Sequence, residues 1–145
     1  MQIKTRYFGE QDIDEAEVIT FPNGLPGFDD DLRFVLQPFG DVFSILQSAD
    51  HADVCFVVTN PFLFFKNYSV ELPDTLVTQL GVSRREDVAV LVIVTVHTPF
   101  AESTANFNAP VVINTLKRVG CQYIPDRSQY SVREPLAIGA LTGKA

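Results

Sequence analysis

The sequence predicts a mainly β fold, a small antiparallel β-barrel-like single domain with one or two short helices. Three observations predict it. Apolar residues recur mostly with a period of two. Clusters of Gly, Pro, Asn and Asp separate the runs. Residues 88–96 hold seven β-branched side chains in nine, which marks a long strand buried on both faces, the spine of the core.

Taken in order, residues 2–8 alternate through Ile3, Thr5 and Tyr7 and read as a strand with one buried face. Residues 17–21 are a second short strand. Pro22-Asn23-Gly24-Leu25-Pro26-Gly27-Phe28 has two prolines and two glycines, so it is an ordered loop with apolar anchors at Leu25 and Phe28. Residues 33–37 and 42–47 flank Pro38-Phe39-Gly40-Asp41 as a β-hairpin. Residues 54–59 form a strand that Asn60-Pro61 ends, and residues 68–72 alternate again.

The clearest helix signal covers residues 73–80: Pro73 at the N-terminal edge, Asp74 in the first turn, Leu76, Val77 and Leu80 at helical spacing, and Gly81 as the stop. Residues 83–87 read as a solvated turn or a short helical turn. Short strands follow at 105–107, 111–114 and 119–124, with Lys117-Arg118-Val119-Gly120 as a turn. Beyond Leu136 the chain loses period and charge.

At 145 residues, one domain is the default, with enough length to bury a core without staples. Cys55 and Cys121 lie far apart without metal-ligand spacing and read as free, mostly buried thiols. The longest apolar run spans nine residues, against about twenty for a membrane helix. No apolar stretch follows the first positive charges, so the chain reads as cytoplasmic.

Charge is unevenly placed. Between Arg6 and Arg33 stand eight carboxylates and no cation: Glu10, Asp12, Asp14, Glu15, Glu17, Asp29, Asp30 and Asp31. The net charge is -7, so the rest of the chain comes to +1. A folded anionic face repels phosphate, and the basic residues are scattered; direct nucleic-acid binding is disfavoured and basic proteins are favoured as partners.

No set of converging catalytic groups assembles in the sequence. It has no nucleophile elbow, dinucleotide fingerprint or phosphate loop. Asp50-His51-Ala52-Asp53 resembles a metal cluster, yet three ligands within four residues cannot readily surround one ion, and a polar hairpin turn is the better reading. A metal-dependent hydrolase built on these or on the acidic residues is the alternative from another class. An oligomeric structural barrel is a third. Among binding features, Asn60-Pro61-Phe62-Leu63-Phe64-Phe65 stands out. A bent segment cannot easily hide all four large side chains, so at least one is expected at a surface groove.

Five motifs in order carry a family resemblance: Thr5-Arg6-Tyr7-Phe8-Gly9; Ile19-Thr20-Phe21-Pro22-Asn23-Gly24-Leu25-Pro26-Gly27-Phe28; Phe56-Val57-Val58-Thr59-Asn60-Pro61-Phe62; Ala109-Pro110-Val111-Val112-Ile113-Asn114-Thr115; and Tyr130-Ser131-Val132-Arg133-Glu134-Pro135-Leu136. On these the chain resembles FliW, the bacterial flagellar assembly factor family. The resemblance runs from about Ile3 to Leu136 and implies a small barrel-like protein; one domain over residues 1–136 is expected, with 137–145, which lacks a family counterpart, as a flexible tail. The resemblance implies no enzyme activity; from the residues themselves no cofactor and no membrane association are expected.

It further implies two protein partners: flagellin, held in the cytoplasm before export, and CsrA, the regulator that blocks translation of flagellin messenger RNA. The family is described as antagonising CsrA from beside its RNA site. The chain is expected to be a monomer when free. Asn60, Pro61, Phe62 and Phe64 are expected to line or support the flagellin groove, and Asp29, Asp30 and Asp31 to oppose the cationic surface of CsrA.

Overall fold

A computed structural model describes residues 1–125 and 130–136 of the protein. The expected tail, 137–145, lies outside the described residues.

A hairpin opens the chain: β1 (Gln2–Thr5) pairs antiparallel with β2 (Gly9–Asp12). A ring follows, made of β3 (Ile19–Thr20), β4 (Arg33–Phe39), β5 (Phe43–Ser48), β6 (Cys55–Thr59), β7 (Val88–Thr95), β9 (Val111–Asn114) and β10 (Val119–Gln122). The pairing of β7 with β9 bends the sheet back on itself. Every ring pairing is antiparallel except β3 with β10, a parallel contact at one register position, Val119 opposite Thr20. From the far end of β7 the strands β8 (Thr104–Ala105) and β11 (Glu134–Pro135) leave the ring as a spur. One helix, α1 (Asp74–Leu80), and four 3-10 turns complete the described elements.

Residues opposite each other in an antiparallel pair share a face, so the register sorts inside from outside. Ile19, Phe34, Leu46, Val58, Val111 and Ile113 fill the ring, with Ala89, Leu91 and Ile93 of β7 packed against them. Phe21 and Leu25 plug it from the loop after β3. The outer face carries three covers. The β1–β2 hairpin lays Ile3, with Ile13 just after it, on Val35. Helix α1 lays Leu76 and Leu80 on Val112. The segment after β6 and the spur lay Tyr68, Ala105, Phe107 and Leu136 over Val92 and Val94. Both faces of β7 are therefore packed, as its β-branched run predicts, although several of its side chains are only half-buried.

Several predicted elements shift. The first strand stops at Thr5, because Gly9 at φ 68 turns the chain back into β2. The strand expected at residues 17–21 shrinks to Ile19–Thr20. Residues 68–72 form no strand, since Tyr68 points inward and its hydroxyl donates to the Phe107 carbonyl at 2.9 Å. The strand expected at 105–107 starts one residue earlier and ends at Ala105, in β8. The late turn is Thr115 to Arg118, with Arg118 at φ 56, and Gly120 lies in β10 instead. There it faces the ring, where a Cβ would meet the Phe21 ring at 2.9 Å. Phe28 is a weaker anchor than Leu25; it stays exposed, edge-on to Phe56 at 5.2 Å.

Candidate functional site

Two surfaces carry the residues singled out from the sequence. The first follows β6. The Asn60 side chain accepts a hydrogen bond from the Phe62 N–H at 2.9 Å and caps the 3-10 turn Pro61–Leu63. Pro61, buried, starts that turn where its missing N–H is no loss. Its carbonyl accepts from the N–H groups of Phe64 and Phe65. The tight turn splits the apolar run. Phe64 turns inward against the Tyr68, Val92 and Phe107 cluster. Phe62, Leu63 and Phe65 stay exposed. The Phe62 ring rests edge-on against Tyr68 at 5.6 Å, and Phe65 against Phe107 at 5.0 Å. The cap and the buried rings thus position an outward apolar face. Leu63 and Phe65 belong to it although sequence reasoning did not select them; the Pro61 turn start was the available signal.

The second surface is acidic, and the fold divides it. Asp29 and Asp30 are exposed in the loop before β4. Asp31 is not; it is only 5% accessible. Its Oδ1 accepts from the Ser48 hydroxyl at 2.7 Å and lies 2.6 Å from His51 Nδ1. The three aspartates therefore do not form one solvated face, and Asp31 fastens the loop to the β5–β6 turn. Burial pushes the Asp31 carboxyl up, but the bonds from His51 and Ser48 together with the histidine charge outweigh it and hold it below its ordinary value. The same contact, first through the hydrogen bond and then through charge, raises His51; Asp50 and Asp30 add to the rise. Asp12, Asp14, Glu15 and Glu17 stand elsewhere, around a shallow open depression of about 630 Å³ floored in part by Ile13.

The Asp50-His51-Ala52-Asp53 run is the polar turn between β5 and β6. His51 is committed to Asp31, and Asp50 takes a two-pronged contact from Arg33 that raises the arginine further. Among the described residues no group of three metal-ligating side chains converges. Cys55 and Cys121 are free and half-buried, and burial raises both thiols above their ordinary value. No described helix is long and apolar enough to cross a membrane.

The ring of short strands with covered flanks is a build shared with a solved protein. A solved crystal structure of the flagellar assembly factor FliW superposes with a TM-score of 0.90, at 39% identity, covering 94% of this chain and 96% of that one. Flagellar assembly factors FliW from Anoxybacillus flavithermus and from an Exiguobacterium species are similar over nearly their whole length. The first is 43% identical over 137 residues, 94% of each chain. The second is 47% identical over 138 residues, again 94% of each. The fold is thus that of a flagellar assembly factor. The FliW protein family profile matches residues 2–136, and the chain belongs to that family.

Proposed function

We propose that this protein couples flagellin synthesis to flagellin export by binding two proteins in turn in the cytoplasm. It holds flagellin before export. Once flagellin has left, it captures CsrA and lifts the block on flagellin translation. It makes and breaks no covalent bonds in doing so.

The observation that carries this reading is the rigid apolar face after β6. Phe62 and Leu63 stand 45% and 46% exposed on a turn whose cap and buried neighbours leave it little freedom. Ordered, exposed aromatic groups suit the apolar face of an amphipathic helix such as the flagellin termini supply. In this reading Phe62 touches flagellin, while Asn60, Pro61 and Phe64 hold it in place. Asp29 and Asp30 serve the CsrA side, and Asp31 anchors their loop. Carboxylates docked beside a cationic RNA site repel phosphate within a Debye length of about 8 Å.

The experiment mixes the purified protein with flagellin and with CsrA, separately and together, and measures the complexes by size-exclusion chromatography with light scattering. Each partner should form a complex alone, and flagellin should displace CsrA. Absence of a flagellin complex, or free RNA binding by the protein itself, refutes the proposal.

A further inference from the structure

The motif Thr5-Arg6-Tyr7-Phe8-Gly9 has no part in the surfaces described above, yet the fold builds it with care. The Thr5 hydroxyl donates to the Gly9 carbonyl at 2.7 Å and accepts from the Phe8 N–H at 2.9 Å, which closes the β1–β2 turn. The Arg6 N–H donates to the Gln47 side-chain carbonyl at 3.1 Å. Gln47 is itself wholly buried, its amide nitrogen held by the carbonyls of Ser48 and Ala52. The turn is locked from within and from below.

What this locked turn presents is aromatic. Tyr7 is 51% exposed, Phe39 46% and Phe100 41%. Ring contacts join them in two groups, and strand register brings the groups together. Tyr7 and Phe8 lie 6.2 and 6.3 Å from Phe39. Phe39 pairs across the β4–β5 hairpin with Phe43, so the two share a face. The Phe43 ring meets Phe100 edge-on at 5.5 Å. The result is a band of aromatic side chains across three separate segments of chain, held by ring contacts at its two ends and by strand register in the middle, at most roughly 17 Å long, or about three turns of an α-helix.

Charge marks its two ends. The Arg6 guanidinium lies over the Tyr7 ring, 5.5 Å from its centroid, and makes no ion pair among the described residues. At the other end Glu102 closes the 3-10 turn that begins at Phe100, while Asp41 sits mid-strip in the β4–β5 turn between Phe39 and Phe43; neither makes an ion pair among the described residues.

We infer that the strip from Tyr7 through Phe39 and Phe43 to Phe100 docks an amphipathic α-helix of a protein partner, with the C-terminal end of that helix over Arg6. Three turns of helix offer apolar anchors at i, i+3 or i+4 and i+7, which match the length of the strip. A helix carries partial negative charge at its C-terminus and partial positive charge at its N-terminus, so Arg6 and Glu102 select this direction. The helix should also carry a carboxylate near Arg6 and a cation near Glu102. Because the aromatic groups are already ordered, little side-chain entropy is lost on docking. The inference rests on the reading that flagellin is a partner, and it assigns that partner a second contact beyond Phe62.

The test measures flagellin affinity for four chains: the native protein, Tyr7→Ser with Phe39→Ser, Phe100→Ser, and Arg6→Glu. Circular dichroism and melting temperature establish that each is folded. The aromatic variants should weaken binding more than tenfold, about 1.4 kcal/mol. Arg6→Glu, which leaves the rings in place, should weaken it at low salt and less so at high salt. If the native protein binds flagellin and the folded aromatic variants bind it unchanged, the inference is overturned and the proposed function stands. The inference is also overturned if the aromatic variants lose self-association or CsrA capture while keeping flagellin. If the native protein binds no flagellin, both fall.

Discussion

His51 Nδ1 lies 2.6 Å from Asp31 Oδ1, although the histidine ring is largely exposed and the carboxylate almost wholly buried. Twenty residues of sequence separate them, and the contact ties the loop before β4 to the turn after β5. Linkage turns this contact into a pH dependence. Below the ordinary histidine value of 6.5, His51 contributes its full share, which is lost as pH rises through its raised folded value. Above the ordinary carboxylate value of 3.8, Asp31 contributes fully, and this is lost as pH falls through its lowered folded value. Both contribute between those ordinary values. His51→Ala should therefore lower the urea midpoint at pH 5.5 more than at pH 8.5. An equal drop at both would mean that the contact adds nothing through charge.

One hydroxyl ties the aromatic cluster under the apolar turn to the backbone. Tyr68, 3% exposed, packs on Phe107 and bonds its carbonyl, and burial pushes the phenol up to about 12. Tyr68→Phe keeps the rings together and leaves that carbonyl without this donor. A loss of about 1–3 kcal/mol in unfolding free energy is expected. Equilibrium denaturation reads it, and a neutral result would mean that another donor takes over.

Gly120 faces the inside of the ring beneath Phe21. A Cβ there would stand 2.9 Å from two atoms of the Phe21 ring and 3.2 Å from Ile113. Neither neighbour has room to retreat within a filled core, so Gly120→Ala should destabilise by about 1–3 kcal/mol. For a chain of this size that is a fall in melting temperature of roughly 2–4 °C per kcal/mol. A variant that melts with the native protein would show the ring to be looser than these distances imply.

Where local pattern decides structure, the sequence was readable. The β4–β5 hairpin follows from alternation on either side of Gly40, and α1 from Pro73, the apolar spacing and the left-handed Gly81. The long strand β7 follows from its β-branched run. Strand β2 was not readable, because Gly9-Glu10-Gln11-Asp12 is polar and owes its pairing to the Thr5 turn. The three aspartates before β4 look alike in sequence. Only the return of the chain at Ser48 and His51 separates Asp31 from its neighbours. The aromatic strip is invisible for the same reason: Tyr7 meets Phe39, and Phe43 meets Phe100, through pairings that no local period encodes.

That separation changes how the acidic surface should be probed. Neutralising Asp31 along with its neighbours would remove a buried acceptor of two hydrogen bonds and confuse lost folding with lost binding. Asp29→Asn with Asp30→Asn leaves the anchor intact. If these exposed carboxylates oppose a cationic partner, their effect lies in steering: rim charges act chiefly on association rate and on its salt dependence. The double variant should bind CsrA several-fold more slowly at low salt. The gap should close at high ionic strength, where the Debye length falls to about 3 Å at 1 M. Dissociation should change little. Neutralising Asp14, Glu15 and Glu17, which border the separate depression, provides the comparison. If that triple variant slows association and the double variant does not, the charge belongs to the depression and the loop before β4 has no part in CsrA capture.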